Sequence, residues 1–257
     1  MMHDDDLVLL GYGSLSKFRE QPIRRSYTIA GTALNFNDNI AILEVDAETP
    51  QQAGRVAGEV LARFVRVFGL LQTRSYTYKV QIVIAETGET FRGPFIKAGA
   101  AITSYDIQRL SDDLDATAHD VTITDERFDR AADYYQHALY LFERSSLIAD
   151  PITTHHAQLI SSIFLNLWKA VSVIVGDPSR RGDRYQSRYR AFGIAAELKT
   201  RVDRLKELRD DFDVAHYSLD ESRREQIAEI FGEASRAAAE VLRAYLEFLR
   251  TNSLPPA

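Results

Sequence analysis

The segment with the clearest chemical content is Leu208-Arg209-Asp210-Asp211-Phe212-Asp213-Val214-Ala215-His216-Tyr217. Arg209 and His216 are seven positions apart, almost two turns of an α-helix, so a continuous helix would project both from one face. An arginine and a histidine converging beside a phosphate form a minimal kit for cleaving RNA without metal. The histidine titrates near neutral pH and can move a proton from the 2′-hydroxyl or to the leaving oxygen. The guanidinium offers fixed charge and paired donors as negative charge builds on the phosphate. The same residues also fit a plain surface helix. Arg209 and Asp213 have the i,i+4 spacing of a solvated ion pair, and a protonated His216 suits a helix C-terminus.

A second group follows Pro178. Arg180, Arg181, Arg184, Arg188 and Arg190 alternate with Tyr185 and Tyr189. Guanidinium groups hold phosphates and tyrosine rings stack on bases, so this loop is the candidate RNA-binding patch. Its alternative is a solvated loop tied down by Asp177 and Asp183. Metal chemistry has little support. There is no HExxH motif, and His155 and His156, being adjacent, point about 100° apart on a helix. His119 and His137 are isolated, and Asp112, Asp113 and Asp115 read as a solvated helical face. No cofactor is expected.

Composition narrows the classes. The chain has 257 residues, 45% of them hydrophobic and 26% charged, as in globular proteins. Cysteine is absent, which removes disulfides, thiolate nucleophiles and Cys-ligated zinc. A net charge of −6 excludes a uniformly basic nucleic-acid coat but leaves room for a local patch. The acidic start, Met-Met-His-Asp-Asp-Asp, is unlike a signal peptide. The best apolar run, Leu159 to Val175, is interrupted by Asn166 and Lys169, so no membrane segment is expected. These features predict a soluble, cytoplasmic protein.

The elements that would position these residues divide the chain in two, an α+β class overall. Residues 1–102 read as a β-rich α+β domain of unassigned role. Strands are expected at Leu7–Leu10 and Ile40–Val45. Thr49, Pro50 and Gln52 announce a capped helix to about 71, with Val56, Val60, Phe64, Val67 and Leu71 on its apolar face. A hairpin is expected from Tyr76–Ile84 and Thr90–Ile96 around Thr87-Gly88. Residues 103–257 read as an all-α bundle. A helix capped by Thr124 carries Phe128, Ala131, Tyr135, Ala138, Leu139 and Phe142. A second runs from 154 to 175 and stops at Gly176-Asp177-Pro178. Helical sequence then extends from about 185 to 216. The capping-box pattern Ser218-Leu219-Asp220-Glu221 opens a last helix of about 30 residues.

A helical bundle with Arg, a polar residue, then His, just before a long final helix, resembles the HEPN superfamily. Arg209, Asp210 and His216 match its motif, with six residues between Arg and His. Phe164-Leu165-Asn166-Leu167-Trp168-Lys169-Ala170 is similar to the long helix that precedes the motif in such proteins. The resemblance covers about residues 124–250. It implies a metal-independent endoribonuclease of the toxin–antitoxin or phage-defence kind, with RNA as substrate and a homodimer through the bundle. The alternative it leaves open is a non-catalytic RNA- or protein-binding module, with a partner protein at the N-terminal domain. Separately, Gly11-Tyr12-Gly13-Ser14-Leu15 looks like the Tyr-Gly-Ser-Leu loop of the γ-glutamylcyclotransferase family. That likeness would nominate Glu59 or Glu86 as acid/base. The capped helix at 50–71 departs from the small barrel of that family.

Overall fold

The structure is a computed structural model describing residues 7–10, 24–29, 31–37, 40–73, 75, 77–80, 82–84, 90–92, 107–123, 125–146, 154–176, 188–211 and 224–252. The fold is α+β. All described strands come before residue 93, and every described regular element after 124 is a helix. The chain divides into two units, Met1–Phe68 with Tyr76–Thr122 and Gly69–Ser75 with Ile123–Ala257. The division after Thr122, rather than after 102, places the helix at 107–120 with the strands.

In the first unit, β1 (Leu7–Leu10), β2 (Arg24–Ile29), β3 (Thr32–Asn37), β4 (Ile40–Glu44) and β5 (Thr77–Val80) form one antiparallel sheet in the order β2-β3-β4-β1-β5. β6 (Ile82–Ile84) and β7 (Thr90–Arg92) pair separately, Val83 opposite Phe91. The expected hairpin is therefore present but short, because Thr77–Val80 joins the larger sheet through β1. β2 and β3 were not expected. They are poor in valine and isoleucine, but their alternation is clear in the burial. Arg24, Ser26 and Thr28 are exposed, whereas Ile29, Leu34 and Phe36 are buried.

Helix α1 (Pro50–Gln72) starts as its cap predicts. The Gln52 N–H donates to Thr49 Oγ1 (3.2 Å), and Gln52 Oε1 accepts from the Glu48 N–H (3.2 Å). Of the expected face, Phe64 and Val67 are buried while Val56, Val60 and Leu71 are half-buried, and Ala57, Leu61 and Phe68 are buried beside them. The Phe64 ring meets Phe36 of β3, centroids 4.9 Å apart. On the same sheet face, the Tyr27 hydroxyl of β2 donates to Asp115 Oδ1 (2.8 Å) of α2 (Ile107–Asp120), and Arg25 lies 3.4 Å from the same oxygen. Asp115 is thus a tether to the sheet, not simply part of a solvated face.

The second unit is built from α3 (Glu126–Ser146), α4 (Thr154–Val175), α5 (Ala196–Asp211) and α6 (Arg224–Asn252). The α3 cap is Asp125, one residue later than expected: its Oδ1 accepts from the Phe128 N–H (2.7 Å) and from the Tyr245 hydroxyl of α6 (3.2 Å). The apolar stripes follow the sequence pattern: Phe128, Ala131, Tyr135, Ala138 and Leu139 on α3, and Phe231, Ala234, Ala238, Val241, Leu242 and Tyr245 on α6, are all buried. α4 is central, packing on α3, α5 and α6. Gln158–Val175 is long and apolar enough to cross a membrane, with mean hydropathy 1.5, and half of it is buried among the other helices. Ile163, Phe164, Leu167, Val171 and Ile174 are its buried residues.

Helical sequence does not run unbroken from 185 to 216. A single turn at 188–191 ends at Gly193, whose φ is +66°. The Gly193 N–H donates to the Arg190 carbonyl (3.2 Å) and the Ile194 N–H to that of Tyr189 (2.9 Å), a Schellman closure. A Cβ at Gly193 would meet nothing within 4 Å, so Gly193→Ala isolates the backbone strain. We expect it to destabilise the chain by about 1–2 kcal/mol in denaturant unfolding.

Burial pushes the Tyr135 phenol well above its usual pKa, against the opposing pull of Thr73 and of the Arg243 guanidinium. Thr73 is near its hydroxyl, but no partner among the described residues meets it with hydrogen-bond geometry. Burial also raises Tyr27 and Tyr245, with Asp115 and Asp125 adding to it. Above about pH 10 the unfolded chain loses these protons while the folded chain keeps them. Stability contributed by the phenols is therefore full below that pH and falls as pH rises beyond it. Tyr135→Phe removes a buried donor without a partner. We expect neutral-pH stability to hold within about 0.5 kcal/mol, or rise, and the alkaline loss to become shallower. Unfolding midpoints at pH 7 and above pH 10 check both.

Candidate functional site

Helix α5 is preceded by Ala195, whose carbonyl accepts from the Leu198 (3.1 Å) and Lys199 (3.3 Å) N–H groups. Its core-facing line is Leu198, Val202 and Leu205, all buried. Steps of four and three residues put the next position of that line at 209, where the sequence has arginine. The opposite side is solvated and carries the pairs Lys199–Asp203 (2.6 Å) and Arg204–Glu207 (2.7 Å). Arg209 is half-buried, in the last turn of α5, beside the buried Leu208. Its Cζ stands over the Trp168 ring of α4, 5.6 Å from the centroid. That geometry gives the cation an aromatic face, and its place near the helix C-terminus suits its charge. Trp168 is itself 3% exposed, so the pair is anchored from the core outward.

Asp210 follows on the α5 backbone, but its side chain lies outside the described residues, as do Asp213 and His216. Arg180, Arg181, Arg184 and Tyr185 also lie outside them. The other three residues of the expected RNA patch, Arg188, Tyr189 and Arg190, are described; Arg190 is exposed, and the one ring among them is not an open stacking surface. Tyr189 is buried at 4% exposure, so its ring belongs to the core rather than to a base-stacking platform. Arg188 is half-buried, and its Nη1 would stand 3.0 Å from a Cβ on Gly176, which closes α4 with φ +91°. That position brings its charge to the negative end of the α4 dipole.

No protein-family model, curated protein or solved structure matches the chain. The chemistry of the site therefore has to be argued from its own residues.

Among the described residues, no three of His, Asp and Glu come together as a metal-donor group. His137 is exposed and its ring stacks near Tyr140, centroids 6.4 Å apart. Gly11–Leu15 and Glu86 lie outside the described residues. Glu59 is exposed on α1 and pairs with Arg55 (3.2 Å). Its neighbourhood is a solvated ion pair on a helix, not an enclosed acid.

Two residues of consequence were missed by sequence reasoning. Trp168 enters the sequence reading only as part of the Phe164–Ala170 phrase. The signal that could have found its role was Arg209 falling on the apolar line of α5. The other is Arg243 of α6. Its Nη2 donates to the carbonyls of Leu70 (2.8 Å) and Leu71 (2.9 Å), and Thr73 Oγ1 lies 3.3 Å away, close enough to share one of these protons. The Ser75 N–H beside them donates to Glu143 Oε1 (3.2 Å). No local pattern announces a partner so distant in sequence.

Proposed function

We propose that this chain is a metal-independent endoribonuclease of HEPN type, with RNA as its substrate. Arg209 holds the scissile phosphate, His216 moves the proton, and Asp210 orients Arg209 or its loop. His216 takes the 2′-hydroxyl proton, the 2′-oxygen attacks phosphorus, the P–O5′ bond breaks, and the imidazolium returns that proton to the departing 5′-oxygen. The products are a 2′,3′-cyclic phosphate and a 5′-hydroxyl. The observation that carries the reading is the position of Arg209. A cation occupies a core-line position in the last turn of the helix before the long final helix, braced on Trp168.

The reading extends to a cytoplasmic toxin or phage-defence effector and to a homodimer through the bundle, because twofold symmetry would double a sparse Arg–His site. Arg180, Arg181, Arg184 and Tyr185 supply the RNA-binding loop. A second reading, a non-catalytic module binding RNA or protein, has one observation in its favour: the Arg209 guanidinium is already engaged by Trp168. The two part in a cleavage assay on single-stranded RNA with excess chelator. The enzyme cuts there, and the binding module leaves the strand intact.

A further inference from the structure

We propose that Trp168 is the positioning residue for Arg209, its indole face fixing the heading of the guanidinium fork before a phosphate arrives. The inference rests on the phosphate-holding role given to Arg209 above. A free arginine samples many side-chain conformations, and ordering them at the moment of binding weakens binding. Here the ordering is done beforehand. The indole is 3% exposed on α4, flanked by the fully buried Leu167 and Val171. On the α5 side, the buried Leu205 and Leu208 hold the backbone that carries Arg209. The cation lies 5.6 Å from the ring centroid, within the range of a favourable contact with the π face. The next residue on α4 gives a contrast. Lys169 Nζ is 5.4 Å from the Tyr134 ring, but that ring is only half-buried. Of these two pairs, only Trp168 gives its cation a platform locked in the core. An apolar residue of similar bulk would fill the space but would offer no π face to direct the fork.

The chain has one tryptophan, so its emission reports the surroundings of Trp168, the Arg209 guanidinium among them, with no second indole to mask them. The test uses the full chain with Trp168→Phe, Trp168→Leu and Arg209→Met. Both Trp168 variants lose volume, so damage to packing lowers both thermal midpoints; only the phenylalanine keeps an aromatic face. Trp168→Phe is expected to retain most of kcat. Trp168→Leu is expected to lower kcat about tenfold with KM little changed, since orientation matters most as charge develops in the transition state. Equal loss of kcat in the two variants, or a wild-type kcat in Trp168→Leu, overturns the proposal. Arg209→Met is expected to shift the Trp168 emission maximum, and an unchanged maximum overturns the proposal whatever the activity. A wild-type chain that leaves RNA intact overturns the ribonuclease reading instead. The emission of Arg209→Met then decides the Trp168 contact by itself.

Discussion

His216→Ala is expected to lower RNA cleavage by about 10²–10⁴-fold while leaving the helical content and unfolding midpoint in place. The size follows from what the imidazole is asked to do. Without a positioned base, the 2′-hydroxyl must give its proton to water, and the leaving oxygen must take one from water. Arg209→Lys is expected to lose much of the rate as well. Lysine keeps the charge but not the planar fork, and its ammonium is a point donor on a flexible stem. Initial rates on a defined single-stranded RNA, with circular dichroism alongside, check both variants. Retention of wild-type rates in His216→Ala and Arg209→Ala would leave the binding module as the better reading.

The largest stability effect is expected at Arg243. Its Nη2 donates to two carbonyls of the last turn of α1, groups that the helix itself cannot satisfy. Leu70 is fully buried, so water is no ready substitute. Thr73, just beyond, has φ +53°, unfavourable for a β-branched residue, and the Arg243 contact to its Oγ1 (3.3 Å) helps hold it. Arg243→Met keeps much of the bulk and removes the donors. A charge-assisted hydrogen bond contributes more than a neutral one, and two carbonyls lose such a bond at once, the Leu70 carbonyl keeping only the long contact from the Thr73 N–H (3.4 Å). Together these predict a loss of about 3 kcal/mol in denaturant unfolding. Arg243→Lys, which keeps the charge but loses the fork, should fall between. A change below about 0.5 kcal/mol in Arg243→Met would place it with ordinary surface substitutions and contradict the assigned role.

The helices were legible where an apolar period ran over several turns. α3, α4 and α6 show this, with stripes such as Phe128, Ala131, Tyr135 and Ala138 buried as their spacing predicts. The α1 cap was legible to the residue, whereas that of α3 was legible only to within one, because Thr124 and Asp125 are both good N-cap types and Asp125 also gains the Tyr245 hydroxyl from α6. β2 and β3 escaped notice because their buried residues alternate with Arg24, Ser26, Thr28 and Asn35, a weak signal without neighbouring strands. The helix break at Gly193 was missed because a lone glycine in a charged stretch reads as tolerated. Its positive φ is what ends the turn. Of the candidate site, Arg209 was legible from residue type and spacing, whereas Trp168 beneath it depended on α4 and α5 packing together. Tyr189 misled in the opposite direction. Its arginine-rich surroundings suggested an open ring, but Tyr189 is buried while the adjacent Arg190 stays exposed.

The central claim is that the chain breaks RNA through its own 2′-hydroxyl with Arg209 and His216 and no metal. Its most direct test is mass spectrometry of the fragment ends after incubating the purified chain with single-stranded RNA in excess chelator. The expected result is fragments ending in 2′,3′-cyclic phosphate and beginning with 5′-hydroxyl, lost in His216→Ala, with DNA of the same sequence untouched. Intact RNA under these conditions, or cleavage that needs Mg²⁺ and leaves 5′-phosphates, would contradict it.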